Sequence, residues 1–170
     1  MKLEEALSAL RSMPDALEQR LAGLSEAQLR FKPASSVFSV VENICHLRDI
    51  EVEGYSVRLR LMLETENPML PDLDGSALAR ERRYNEHPFA QAWETFLIAR
   101  RGNLQRLGAL SEVDLKRRGR FQNVGEVSLE RLLELWVEHD RSHIQELDAL
   151  LTALRDLGCI PKPSLSLANA

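Results

Sequence analysis

The chain has 170 residues, 44% of them hydrophobic and 28% charged, with a net charge of −4 and a pI near 5.6. That length supports one domain whose core needs no disulfide or metal staple, and the acidic balance, with no basic cluster set among aromatics, excludes a phosphate-backbone binder. No apolar run approaches the roughly 20 residues of a membrane span, the N-terminus with Glu4 and Glu5 does not read as a signal peptide, and two distant cysteines, Cys45 and Cys159, make no disulfide framework, so a reducing, cytoplasmic compartment is expected.

Four long helical segments follow from the spacing of apolar residues, and no stretch alternates with a period of two. The first covers residues 3–22 on Leu3, Ala6, Leu7, Leu10, Leu17 and Leu21, with Pro14 expected to bend or split it. The second starts at a capping box, Ser39-Val40-Val41-Glu42, and extends to about residue 63. Residues 66–87, with Pro68, Pro71, Asp72, Asp74 and Gly75, form a long irregular connector; loops of that length in compact domains are functional or disordered, and this one is expected to cover a cleft. The third helix follows Pro88 on Phe89, Ala92, Trp93, Phe96, Leu97, Leu104 and Leu107. The fourth follows Gly125 with Ser128 as N-cap and ends before Gly158. Residues 1–157 thus form one all-α, four-helix-bundle domain, and 158–170 a C-terminal tail.

Two short basic runs, Arg80, Arg82, Arg83 and Lys116, Arg117, Arg118, Arg120, read as solvated connectors. An internal echo pairs residues 19–26 with 105–112, and in both copies a Leu-Ser-Glu turn ends a long helix. Duplication and shared capping chemistry both account for it.

The fourth helix carries the most informative residues. His139 and His143 are four apart, hence on one face and one turn apart, in reach of a single metal ion. Both fall in the apolar arc built by Leu129, Leu132, Leu133, Trp136, Val137, Ile144, Leu147, Leu150, Leu151 and Leu154, with Asp140 at its margin. Buried polar groups need partners; a metal ion, or hydrogen bonds to carboxylates and backbone, would supply them. A catalytic centre of the zinc type commonly takes three protein ligands, which leaves His46 or His87 as the third. His46 lies in a stripe of Glu42, His46, Asp49 and Glu53 on the second helix, with Arg48, Glu51, Tyr55 and Arg58 opposite. One stripe is expected to face water and the other a polar interior. His87, before Pro88, is expected to be exposed, and Cys45 to be a small buried hydrophobe.

Residues 38–51, FSVVENICHLRDIE, resemble the "W-S-x-x-E-x-x-x-H-L-x-D-x-E" second helix of DinB-like proteins, and residues 125–144 resemble their "G-x-x-T/S-L-x-x-L-L … H-D-x-x-H" fourth helix. The order of elements agrees over nearly the whole chain. The resemblance implies an up-down-down-up four-helix bundle in which His46, His139 and His143 bind a divalent metal, nickel or zinc. Phe38 stands where the family often has tryptophan, and Glu146 where glutamine is common.

The family includes bacillithiol-dependent transferases, mycothiol-dependent isomerases and metal-dependent hydrolases. The resemblance therefore implies a metal-dependent enzyme, a hydrolase or a thiol-S-transferase with a low-molecular-weight thiol, acting on a small molecule as a homodimer. Asp49, one turn from His46, and Glu146, three residues after His143, are the candidate proton acceptors or ligand-orienting groups, with Glu53 and Asp140 behind them. The alternatives are a non-catalytic metal- or ligand-binding stress protein and a helical interaction module.

Overall fold

Helix α1 runs Leu3–Leu21 without interruption in the computed structural model, which describes residues 1–122 and 125–160. Pro14 therefore does not split it, and the reason lies across the core. Proline lacks the N–H that would bond the carbonyl of Leu10 four residues earlier; Nη1 of Arg100 donates to that carbonyl instead, at 3.0 Å.

The second long helix opens on the expected capping box. Ser39 Oγ accepts from the Glu42 N–H at 3.1 Å, and Glu42 Oε2 accepts from the Ser39 N–H at 2.7 Å. It continues as α3 (Val40–Asp49), a π-helical segment (Ile50–Tyr55) and α4 (Ser56–Glu64). The widened turn is marked by the Ser56 N–H, which reaches the Glu51 carbonyl five residues back, while Ser56 Oγ donates to the same carbonyl at 2.8 Å. Such a turn advances the helical phase, so a plain 100° wheel misplaces the residues beyond it.

Helix α6 (Phe89–Leu107) and helix α8 (Leu129–Asp156) complete the bundle, the latter capped by Ser128 Oγ on the Arg131 N–H. Two short helices, α2 (Glu26–Arg30) and α7 (Glu112–Leu115), follow α1 and α6, each opened by a serine with a reciprocal capping box. These are the two copies of the Leu-Ser-Glu echo.

The connector is more ordered than its composition indicates: it holds strand β1 (Met69–Leu70), helix α5 (Gly75–Glu81) and a 3₁₀ turn over Tyr84–Glu86. Strand β1 pairs in parallel with β2 (Arg118–Phe121), which pairs antiparallel with β3 (Gly125–Ser128). No strand was expected. Strands of two to four residues are too short to display a period-two pattern, and β2 begins within a basic run.

This small sheet fixes the helix directions. It gathers the ends of α4 and α6 and the start of α8 at one end of the bundle. The N-terminal ammonium bonds Glu134 near the start of α8 at 2.6 Å, and Arg20 bonds Asp148 further along it, so α1 and α8 run together. The second and third helices run opposite to them, which is the up-down-down-up order; two parallel neighbours require a long crossover, and the connector is that crossover.

The core divides in two. One apolar cluster holds Leu17, Val41, Ile44, Phe96 and Leu150, and a second, towards the sheet, holds Leu10, Leu59, Met62, Leu132 and Trp136. Between them, level with residues 46–51, 100–103 and 139–143, lies a polar layer. Its centre is Arg100, 1% exposed, whose Nε and Nη2 grip Glu51 at 3.0 and 2.9 Å and whose Nη1 reaches Asp140 at 2.6 Å. Asn103 Nδ2 and Trp136 Nε1 also donate to Glu51. Burial opposes the charge on Arg100, but attraction to Asp140 and Glu51 outweighs it and raises its pKa. The two carboxylates share one guanidinium and titrate apart: burial carries Glu51 above its ordinary value, whereas Arg100 outweighs burial at Asp140 and holds it below.

Candidate metal centre

The polar layer opens on one side into three imidazoles. α3 supplies His46, and α8 supplies the half-buried His139 and the buried His143. One ring nitrogen from each lies within 4.8 Å of the others. His46 Nε2 and His139 Nε2 are 3.2 Å apart, and the ring centroids of His46–His143 and His139–His143 are separated by 4.6 and 4.5 Å. The stacked rings of Tyr55 and Trp136, 4.3 Å apart, back the cluster, with Tyr55 edge-on to His139. Phe38 packs near His46 at 6.1 Å, so phenylalanine fills the aromatic position before the cap.

The tautomer of His143 follows from its neighbours. Asn43, 2% exposed, donates from Nδ2 to the Ser39 carbonyl at 3.0 Å, which leaves Oδ1 as the acceptor facing His143 Nδ1 at 3.3 Å. Glu146 Oε2 lies 2.9 Å from the same nitrogen. The proton therefore belongs on Nδ1, and Nε2 keeps a lone pair. Burial, then the neighbouring His139, lowers His46 to about 4; burial, then His139 and His46, lowers His143 to about 3. Both are neutral at pH 7, the state in which imidazole ligates a metal.

These residues fit a divalent ion. With metal–nitrogen bonds of about 2.0–2.1 Å in a tetrahedral arrangement, ligand nitrogens stand about 3.3 Å apart, close to the His46–His139 separation. The buried Nδ1 atoms of His46 and His139 have no hydrogen-bond partner among the described residues; His139 Nδ1 faces Asp140 Oδ1 at 3.7 Å, whereas no acceptor accounts for the His46 ring.

A pocket of about 740 Å³ opens beside the cluster, lined in part by Val37, Phe38, Leu73, Leu150, His46, His143 and Glu146. The connector contributes its rim through residues 73–76. Burial raises the Glu146 carboxyl above its ordinary value.

Asp49 takes a different place. Oδ1 accepts from Arg48 at 2.6 Å, and Oδ2 accepts from Arg82 at 2.5 Å and from the Tyr84 hydroxyl at 2.6 Å. Burial alone would raise its pKa, but these three donors bring it below the ordinary value. Arg82 also grips Glu53, so one member of a basic run read as solvated instead clamps the connector to the second helix. His87 lies outside the histidine cluster, half-buried, with Nε2 2.8 Å from the Arg82 carbonyl. Cys45 is fully buried, and burial pushes its thiol up to about 11.

Asn43 escaped the sequence reading, although its place one turn before His46 was a usable signal. The Arg100 layer had no local signal.

A four-helix bundle carrying three convergent histidines from its second and fourth helices defines a class of metal-site bundle proteins. Residues 9–147 match the model of the DinB superfamily, and the chain belongs to that family. It is 23% identical over 148 residues, 87% of this chain and 85% of the other, to a protein of Oceanobacillus iheyensis named "Putative metal-dependent hydrolase OB0782". Its fold is similar to that of YfiT from Bacillus subtilis, with a TM-score of 0.81 at 20% identity over 92% of this chain and 88% of that one. YfiT is described as "a probable metal-dependent hydrolase with an unusual four-helix bundle topology". Among the described residues no helix is long and apolar enough to cross a membrane.

Proposed function

We propose that this protein is a metal-dependent hydrolase of small molecules, with His46, His139 and His143 as ligands to one divalent ion. The observation that carries the reading is the convergence of three imidazole nitrogens within 4.8 Å beside a pocket of ligand size. A divalent ion held there supplies Lewis acidity, polarising a carbonyl and acidifying water or a thiol at neutral pH.

The chain's own residues supply the rest. Asn43 and Glu146 fix the His143 tautomer, and Glu146 presents its carboxylate to the pocket as proton acceptor. Val37, Phe38, Leu73 and Leu150 give the substrate an apolar wall. Asp49, held low by Arg48, Arg82 and Tyr84, is a poor base and serves to anchor the connector. Hydrolysis is favoured over thiol transfer because the described pocket lining carries Asp74 and Glu146 but no lysine or arginine, so a thiol bearing carboxylates meets no counter-ion there. Nickel and zinc both suit three imidazoles. Free Cys45 and Cys159 suit a reducing cytoplasm, and exposed apolar residues such as Ile98 and Leu157 suit a homodimer.

Elemental analysis of untagged protein tests the centre. About one divalent ion per chain is expected in the wild type, with loss in His46→Ala and His139→Ala while the helical circular-dichroism signal persists. A wild type that retains neither nickel nor zinc after reconstitution overturns the reading.

A further inference from the structure

We propose that Gly75 is a positioning residue for His46: the connector lays bare backbone against the imidazole, and the missing side chain keeps that ring within reach of His139 and His143. The inference rests on the metal-centre reading above. A Cβ built on Gly75 would lie 2.3 Å from His46 Cε1 and 2.5 Å from its Nδ1, far inside the separation at which carbon atoms attract.

Nothing in the backbone requires glycine here. The glycines with positive φ are Gly23, Gly125 and Gly158, whereas Gly75 opens α5, where Asp74 Oδ1 caps the Ala77 N–H at 2.9 Å. The first position of a helix accepts most residues, and helix propensity favours alanine over glycine. The need is for space alone.

The connector cannot retreat to provide that space. Upstream, Arg58 Nε holds the Pro71 carbonyl at 2.9 Å; downstream, Arg82 and Tyr84 are fastened to Asp49. All these anchors lie on the helix that bears His46. The imidazole is what gives way, because its Nδ1 has no hydrogen-bond partner among the described residues. A ligand histidine is ordinarily oriented by an acceptor on its second nitrogen. His143 has that acceptor in Asn43 and Glu146; His46 has the backbone of Gly75 instead.

The test compares full-length wild type, Gly75→Ala and Ala77→Gly, the last loosening the same short helix without adding an atom near His46. Zinc affinity is read by competition with a chromophoric chelator, stability by urea unfolding of the metal-free proteins, and ring placement by histidine side-chain NMR of those same metal-free proteins. Gly75→Ala is expected to bind zinc about 10- to 100-fold more weakly, to unfold at an equal or higher urea midpoint, and to shift the His46 ring signals while those of His87 stay in place. Ala77→Gly is expected to bind zinc within about twofold of wild type. Wild-type affinity in Gly75→Ala, or an equal loss in Ala77→Gly, overturns the inference. A wild type that binds no zinc is compared with the variants using nickel instead, and one that binds neither overturns the metal centre; the metal-free NMR comparison then decides Gly75, and an unmoved His46 ring overturns its positioning role.

Discussion

Replacing Arg100 by methionine tests whether the polar layer, rather than the apolar clusters alone, sets the stability of the bundle. Methionine approximates the length of the stem but removes every donor that holds Glu51, Asp140 and the Leu10 carbonyl. Breaking a buried ion pair from one side costs about 3–5 kcal/mol, because the opposing charge is left uncompensated. A buried carbonyl left without a donor costs about 1–3 kcal/mol more. The expected loss is therefore at least about 4 kcal/mol against a total of about 5–15 for a domain of ordinary stability. Urea unfolding followed by far-ultraviolet circular dichroism measures it, with the slope of the transition unchanged.

The cause is separable from the loss of arginine packing. Arg100→Met combined with Glu51→Gln and Asp140→Asn removes the charges together and keeps acceptors for Asn103 and Trp136, so much of the loss is expected to return. A loss below about 1 kcal/mol in the single variant, or a triple variant no more stable than the single one, would refute the assignment of an uncompensated buried charge.

Pro14→Ala restores an N–H to the Leu10 carbonyl, so in that background Arg100→Met is expected to cost about 1–2 kcal/mol less; effects that add to within about 0.5 kcal/mol would show that the two groups do not share the carbonyl. The metal-free protein is expected to lose stability as the pH falls. His46 and His143 titrate near 4 and 3 in the fold against about 6.5 unfolded, so below pH 6.5 the unfolded chain binds protons that the folded chain refuses, and the loss continues down to the folded values. At pH 5 each histidine contributes a loss of about 2 kcal/mol. Urea unfolding at pH 7 and pH 5 is expected to show this difference in wild type and not in His46→Gln/His143→Asn, and equal slopes in the two proteins would contradict it.

What was legible in this sequence is what is local. Ser39, Ser128, Ser25 and Ser111 each announce a helix start through groups three residues away, and each caps a helix. His139 and His143 share a face by spacing alone. Other features depend on partners distant in sequence: β1 meets β2 across about 50 residues, Arg82 meets Asp49 across 33, and Gly75 meets His46 with no chemistry of its own to announce it. The two polar stripes of the second helix show the limit most clearly. One was expected to face water and the other a polar interior, the remaining surfaces of the helix being packed in the bundle. Instead Asp49 and Glu51 are both buried, 4% and 1% exposed, because Arg48, Arg82 and Tyr84 answer the first and Arg100 and Asn103 the second. Arg100 sits on α6 among apolar residues, 49 positions from Glu51, where a helical wheel reads it as an interruption of the core face. It is the centre of the polar layer: the same guanidinium pairs Asp140, replaces the N–H that Pro14 lacks and neutralises Glu51, and its partner Asp140 lies one turn of α8 before His143.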